Sequence, residues 1–310
     1  WLYRVSAKGK LVLILDGLNQ LDTKNNAQEL DWLPPELPEN VKLIFSTLPC
    51  RALNVINEQG WPRLEMEPLT MAEREQLVMC YLARYSKQLS PERMRRIIQD
   101  PESANPLSLR ILLDELRQFG VYEELDAVID RYLAADSIPE MVQLVFARCE
   151  RDYEGERPGL VRDAFSYLWA ARRGLSEAEL LDLLGEEGKA LPHRIWSPLS
   201  LALNNSLVDR GGLLDFFYDY VRQAVEERYL ADEEEKRMAH TILANYFEGL
   251  EGTPTRKLEE LPWQLAEARA WERLYDVLAN LDFFQALHEH SRKDLLTYWA
   301  SVEANSDLNR

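Results

Sequence analysis

The run Leu11-Val-Leu-Ile-Leu, closed by Asp16 and Gly17, constrains the fold more than any other stretch of the chain. Five consecutive apolar residues fit a strand buried on both faces, the pattern of a central parallel strand. In open α/β sheets, ligands gather at the carboxyl ends of the strands. Asp16 therefore stands where a ligand would bind. A plainer reading, a buried strand followed by an Asp-Gly turn, accounts for the same residues.

The next stretches extend the pattern. Val41-Lys-Leu-Ile-Phe is a second apolar strand, ending in the hydroxyls of Ser46 and Thr47 and followed by Pro49. Arg63-Leu-Glu-Met-Glu-Pro-Leu69 alternates like a short third strand. Thr70 and Glu73 form a capping box that opens a helix over 71–87, with Leu77, Tyr81, Leu82 and Tyr85 on one face. Ser90-Pro91 caps a second helix that stops at Asp100-Pro101. Asn105-Pro106 opens a third, with Leu109, Leu112, Leu113 and Leu116 inside and Gly120 as its C-cap. Residues 123–134 form a fourth.

Between 137 and 230 the pattern changes. Ser137 caps a helix to about Tyr153, and helices follow over 159–173, which Gly174 is expected to end, 176–184 and 194–204. Two apolar arms then flank Gly211-Gly212, a hairpin signal. Helices followed by a hairpin give a winged-helix order. The expected recognition helix, from Arg194, carries one positive charge, too little for the phosphate neutralisation that DNA binding needs. Residues 232–310 place small and aromatic side chains at helical spacing, as in Ala239, Leu243, Ala244 and Phe247. They read as the entry to an α-solenoid, without a clean 34-residue period.

The net charge of −17 over 310 residues argues against a nucleic-acid footprint. The clusters Arg93–Arg96 and Arg172-Arg173 have carboxylates nearby and read as solvated helix faces. Three scattered cysteines, Cys50, Cys80 and Cys149, suit a reducing compartment, hence a cytoplasmic setting. His288 and His290 do not face each other on a helix and form no ligand set. No apolar run reaches membrane-spanning length and no signal peptide is present.

Taken together, the Asp16 strand, the Ser46 strand, the helices after Thr70 and the hairpin resemble the second half of a NACHT-type NTPase of the STAND signalling class. The branch typified by nephrocystin-3 and telomerase-associated protein 1, with its bacterial relatives, fits best, over about residues 11–230. The resemblance makes Leu11–Asp16 a Walker B strand and Asp16 the carboxylate beside Mg²⁺. It places Ser46, Thr47 and Arg51 near the nucleotide phosphates and Pro106 against the adenine. Phe217-Tyr-Asp-Tyr-Val-Arg222 resembles a signature in which a His contacts the ADP β-phosphate. Tyr218 holds that position here, and a phenol carries no positive charge near neutral pH.

Other departures bear on catalysis. Asn19 and Gln20 stand where many relatives carry a second acid. Neither is a general base, though both can hydrogen-bond water. Arg51 is displaced from the usual sensor position, so slow or absent hydrolysis is expected. No Gly-x-x-x-x-Gly-Lys-[Ser/Thr] run occurs. In the family that loop lies upstream, so the chain is expected to be an internal fragment.

The expected fold is mainly α with a partial α/β P-loop NTPase core. Residues 1–69 would be the distal NACHT core, 70–135 a helical domain, 136–230 a winged-helix domain and 231–310 a tetratricopeptide-like region. The resemblance implies a switch that binds ATP or ADP with Mg²⁺ and homo-oligomerises when its C-terminal repeats sense a protein ligand. In bacteria that class guards against phage; in animals it scaffolds signalling. The alternative is a non-catalytic helical adaptor that binds protein partners.

Overall fold

The computed structural model describes residues 2–21, 24–34, 36–186, 188–203 and 206–305. The described chain is mainly helical, with few strands. It forms two compact units, Trp1–Glu67 and Pro68–Arg310.

In the first unit, helix α1 (Leu2–Ser6) precedes strand β1 (Leu11–Leu15), strand β2 (Val41–Phe45) and helix α2 (Arg51–Glu58). The strands pair in parallel, Leu11 opposite Val41 through Leu15 opposite Phe45. Leu18, Leu30, Ala52, Val55 and Ile56 form the local core, with Leu15 and Phe45 packed against it. The Phe45 and Trp61 rings stack with centroids 5.7 Å apart.

Two expectations fail here. β1 is not buried on both faces: Val12 and Ile14 are 59% and 66% exposed, and Ile44 beside Ile14 is 54% exposed. Strand side chains alternate between faces, and only one face of this two-stranded sheet meets the α2 core. Residues 63–69 form no strand: no ladder to another strand occurs there among the described residues, and the Leu69 N–H donates instead to Ala104 O at 2.9 Å. Leu64 and Met66 in that extended stretch are 87% and 84% exposed.

The second unit opens with α3 (Met71–Ala83), α4 (Pro91–Gln99), α5 (Pro106–Gln118) and α6 (Leu125–Leu133). Thr70 and Glu73 complete a reciprocal capping box. Ser90 and Asn105 cap α4 and α5, each with a proline in the first turn. α3 is one turn shorter than its sequence pattern. Tyr85 is left outside the helix, while Val78 fills the buried face. α5 ends on Phe119 in extended conformation, so Gly120 is not its C-cap. Val78, Tyr81, Ile97, Leu109, Leu113 and Ile129 build one core.

There follow α7 (Ile138–Tyr153), α8 (Leu160–Ala170), α9 (Glu177–Leu184), α10 (His193–Ala202), strands β3 (Leu207–Asp209) and β4 (Leu214–Phe216), and α11 (Asp219–Tyr229). Asn204, the expected end of the helix before the hairpin, lies outside the described residues. The hairpin is antiparallel, Leu207 opposite Phe216. Gly211 and Gly212 have φ of 70° and 88°, which glycine alone adopts without cost. The Gly212 N–H donates to Asp209 Oδ1 at 2.6 Å. Gly174 does not end α8; its φ is 81° and Leu175 bridges to Leu214 of the hairpin.

The chain closes with α12 (Glu233–Glu248), α13 (Thr255–Glu267), α14 (Trp271–Ala279) and α15 (Leu281–Asn305), the last broken at Ser291. One continuous core runs from Ile138 to Val302, with Phe146, Phe165, Trp196 and Phe247 fully buried. Each such side chain contributes roughly 1.5–3 kcal/mol of burial.

Glu260, fully buried on α13, ties the parts together. It accepts from the backbone N–H groups of Arg172 (3.1 Å) and Arg173 (3.3 Å). The arginine clusters are thus solvated faces only in part: Arg95 and Arg173 are exposed, whereas Arg93 and Arg172 turn inward. Arg172 pairs with Asp294, and Arg93, 8% exposed, grips Asp126 with two nitrogens. The planar guanidinium fork matches a carboxylate bidentately, which makes its burial tolerable.

Candidate functional site

In the first unit, four of the singled-out residues meet at the carboxyl ends of β1 and β2. The Ser46 hydroxyl donates to Asp16 Oδ1, and the Gly17 N–H donates to Ser46 Oγ at 2.9 Å. Gly17 adopts φ 71°, which turns the chain sharply after Asp16 and leads the Leu18 N–H to Ser46 O at 3.0 Å. Asp16 is exposed and Leu18 buried, so the carboxylate projects while the turn is anchored. Asn19 Oδ1 accepts from the Leu48 N–H at 3.2 Å. Its amide carbonyl therefore holds the loop after β2.

Thr47 Oγ1 lies 2.9 Å from Leu48 O and 3.3 Å from Cys50 Sγ. Burial raises the Cys50 thiol, but the Thr47 contact and the N–H groups of Leu53 and Ala52 outweigh it and bring the thiol below its ordinary value. Arg51 is clamped by Glu29, at 2.8 and 2.7 Å, and by Glu58 at 3.3 Å. The Glu29 contacts raise the Arg51 guanidinium further above its ordinary value.

In the second unit, Pro106 and Tyr218 come together although 112 positions separate them. Both line a cleft of about 450 Å³ with Tyr81, Leu107 and Arg110. A second cleft of about 280 Å³ shares Leu107, Arg110 and Tyr218 and runs on to Asp114 and Val221. Pro106 is placed by the Asn105 cap, whose Oδ1 accepts from the Leu107 N–H at 2.9 Å. Tyr218 is the residue before α11, 38% exposed, with its ring edge-on to Phe217 at 4.5 Å.

The reading of the sequence missed Arg110 and Tyr81. Arg110 Nε donates to Asp114 Oδ2 at 3.0 Å, and its guanidinium lies 4.7 Å over the Tyr81 ring. The Tyr81 hydroxyl donates to Asp114 Oδ1; burial, then Asp114, raises its phenol above the usual range. A signal was present: Pro106, Arg110 and Asp114 stand at four-residue steps on one helix face. The cleft thus offers a proline face, two phenol rings and a guanidinium that is paired with Asp114.

Fold and sites define a mainly helical protein with a small parallel sheet that carries a carboxylate at its strand ends. No protein-family model matches the chain. It is 36% identical over 301 residues to a TPR repeat-containing protein of Dictyostelium discoideum, covering 96% of the chain and 18% of that protein. It is 29% identical over 294 residues to human NACHT domain- and WD repeat-containing protein 1, covering 84% of the chain and 18% of that protein. To mouse telomerase protein component 1 it is 27% identical over 318 residues, covering 90% of the chain and 12% of that protein. These matches relate the chain to NACHT- and TPR-type proteins. The chain spans less than a fifth of the length of each of these three relatives.

Proposed function

We infer that the chain belongs to a nucleotide-gated signalling switch of the STAND class, binding ATP or ADP with Mg²⁺ and oligomerising when its C-terminal helices meet a protein ligand. Two kinds of support stand behind this reading. Relatives that match most of the chain carry NACHT domains by name. The observation that carries it furthest is the strand-end pair, in which Ser46 at the end of β2 orients the exposed Asp16 at the end of β1.

Among the described residues no group of three or more metal-ligating side chains occurs. An ion held by protein alone does not fit. An ion shared with phosphates does, because Mg²⁺ keeps water and phosphate oxygens and takes one or two carboxylates. When bound, it would neutralise phosphate charge. Asp16 would orient it, Ser46 would hold Asp16, and Thr47 would stand beside the terminal phosphate.

Taken by itself, the second unit holds Pro106 and Tyr218, which the reading assigns to a nucleotide's adenine and phosphate end, the phenol bringing a hydroxyl without charge. Residues 136–230 would be the winged helix and 231–310 the entry to a tetratricopeptide-like array. The test is Asp16→Ala in the whole protein, with co-purified nucleotide measured. Loss of Mg²⁺-dependent retention is expected.

Asn19 and Arg51 favour a second reading, a helical adaptor whose nucleotide site is a remnant. Asn19 is occupied in holding its own loop, and Arg51 is neutralised by two glutamates. Nucleotide content and signalling unchanged in Asp16→Ala would select this adaptor.

A further inference from the structure

A cleft of about 650 Å³ lies where the C-terminal end of α8, α12 and the α13–α14 junction meet. Trp169, Glu233, Lys236, Arg237, Glu267 and Arg269 are among the residues lining it. Two of them carry a buried donor with no acceptor among the described residues: Nε1 of the Trp169 indole and Nε of the Arg237 guanidinium. A buried donor without an acceptor costs about 1–3 kcal/mol. Two in one cleft are an expensive arrangement unless a bound group supplies the acceptors.

The cations there are not alike. Lys236 is held by Glu226 at 2.6 Å, and Arg269 lies 3.9 Å from Glu233. Arg237 is the cation of the cleft that has no carboxylate partner among the described residues. One guanidinium suits a monoanion, whereas a phosphate dianion would be repelled by Glu233 and Glu267.

The geometry points to a binding site for a peptide carboxylate, received by the Arg237 guanidinium with the Trp169 indole N–H as second donor. A guanidinium accepts a carboxylate through two parallel hydrogen bonds. The site is separate from the residues assigned to nucleotide and does not depend on that assignment.

The test is a titration of the 310-residue chain, read at the ¹H–¹⁵N resonance of the Trp169 indole, assigned through Trp169→Phe. The probes are acetyl-Ala-Glu-Ala-amide, acetyl-Ala-Ala-Ala with a free carboxyl terminus, acetyl-Ala-Gln-Ala-amide and inorganic phosphate. A saturable shift is expected with at least one carboxylate peptide and none with the Gln peptide. Which of the two carboxylate peptides binds separates an acidic side chain from a chain terminus. Arg237→Gln, with melting temperature unchanged, should weaken binding about tenfold or more, and Arg237→Lys less. The proposal is overturned by no saturable shift from either carboxylate peptide, an equal shift from the Gln peptide, tighter binding of phosphate, or full binding by Arg237→Gln.

Discussion

Ser46 donates its hydroxyl proton to Asp16 across the ends of two parallel strands, while accepting the N–H of Gly17 at 2.9 Å. The hydroxyl thereby fixes which way the carboxylate points before any cation arrives. Asp16 is exposed, so its removal should change stability by no more than about 0.5 kcal/mol. Asp16→Ala in the whole protein should nonetheless lower Mg²⁺-dependent nucleotide retention about tenfold or more, and Ser46→Ala by less. Retention measured in parallel with urea denaturation separates the two effects. Equal loss of stability and retention would sink the assignment of Asp16.

Glu115 is 4% exposed and bound by Arg148 at 2.6 and 2.9 Å and by the Tyr132 hydroxyl at 2.9 Å. The pair joins α5 to α7. Burial, then Glu115, raises the Tyr132 phenol above its usual range. Arg148→Ala leaves a buried carboxylate unpaired and should destabilise the second unit by about 3–5 kcal/mol. Arg148→Met with Glu115→Leu should recover most of that loss, since apolar replacements of similar volume often match a buried pair. Chemical denaturation of the single and double variants gives the comparison.

His240 is 6% exposed, with Nδ1 2.7 Å from Gln264 Oε1. Gln264 Nε2 donates to Ala170 O and Glu260 Oε2, both at 2.9 Å, so its oxygen faces His240 and Nδ1 carries the proton. Burial lowers the His240 pKa; the Gln264 bond and the Glu267 and Glu260 charges oppose this, and Arg222 adds to it. The unfolded chain therefore binds a proton at pH values where the native chain does not. Stability should fall as pH drops through about 6.5, by at most about 1.4 kcal/mol per pH unit from this group. His240→Gln should flatten the slope between about pH 7 and 5 in urea melts. An unchanged slope would assign it to other groups.

Gly174 illustrates how much of the second unit was legible and why some was not. Its glycine was visible as a helix stop, but α8 already ends at Ala170. The reason for glycine lies in the hairpin: a Cβ at Gly174 would sit 2.3 Å from Leu214 O, forty residues on. Gly174→Ala should cost more than about 1 kcal/mol, measured as a lower melting temperature. Local signals such as the Ser90-Pro91 and Asn105-Pro106 caps were readable because their physics is contained in four residues. The exposed faces of Val12 and Ile14 were not, because an apolar run reports what a strand can bury and not what covers it. The convergence of Pro106, Arg110 and Tyr218 likewise depends on how α5 and α11 are placed, which no local pattern encodes.

The last prediction concerns nucleotide binding by the chain alone. Phosphate affinity in P-loop proteins rests on a backbone cradle and a lysine, and the sequence contains no such run. The cations near the candidate residues are already engaged: Arg51 by Glu29 and Glu58, Arg110 by Asp114. Asp16 repels a polyphosphate unless a metal ion stands between them, and the net charge of −17 opposes approach. Tyr218 offers a hydroxyl without charge. Residues 1–310 alone should therefore show no steady ATP turnover and bind ADP or ATP with Mg²⁺ no tighter than about 1 mM, about −4 kcal/mol. Calorimetry at fixed ionic strength measures this directly. Micromolar binding, lost in Arg110→Gln but not in Asp16→Ala, would show that the Pro106–Tyr218 cleft holds nucleotide without the strand-end carboxylate.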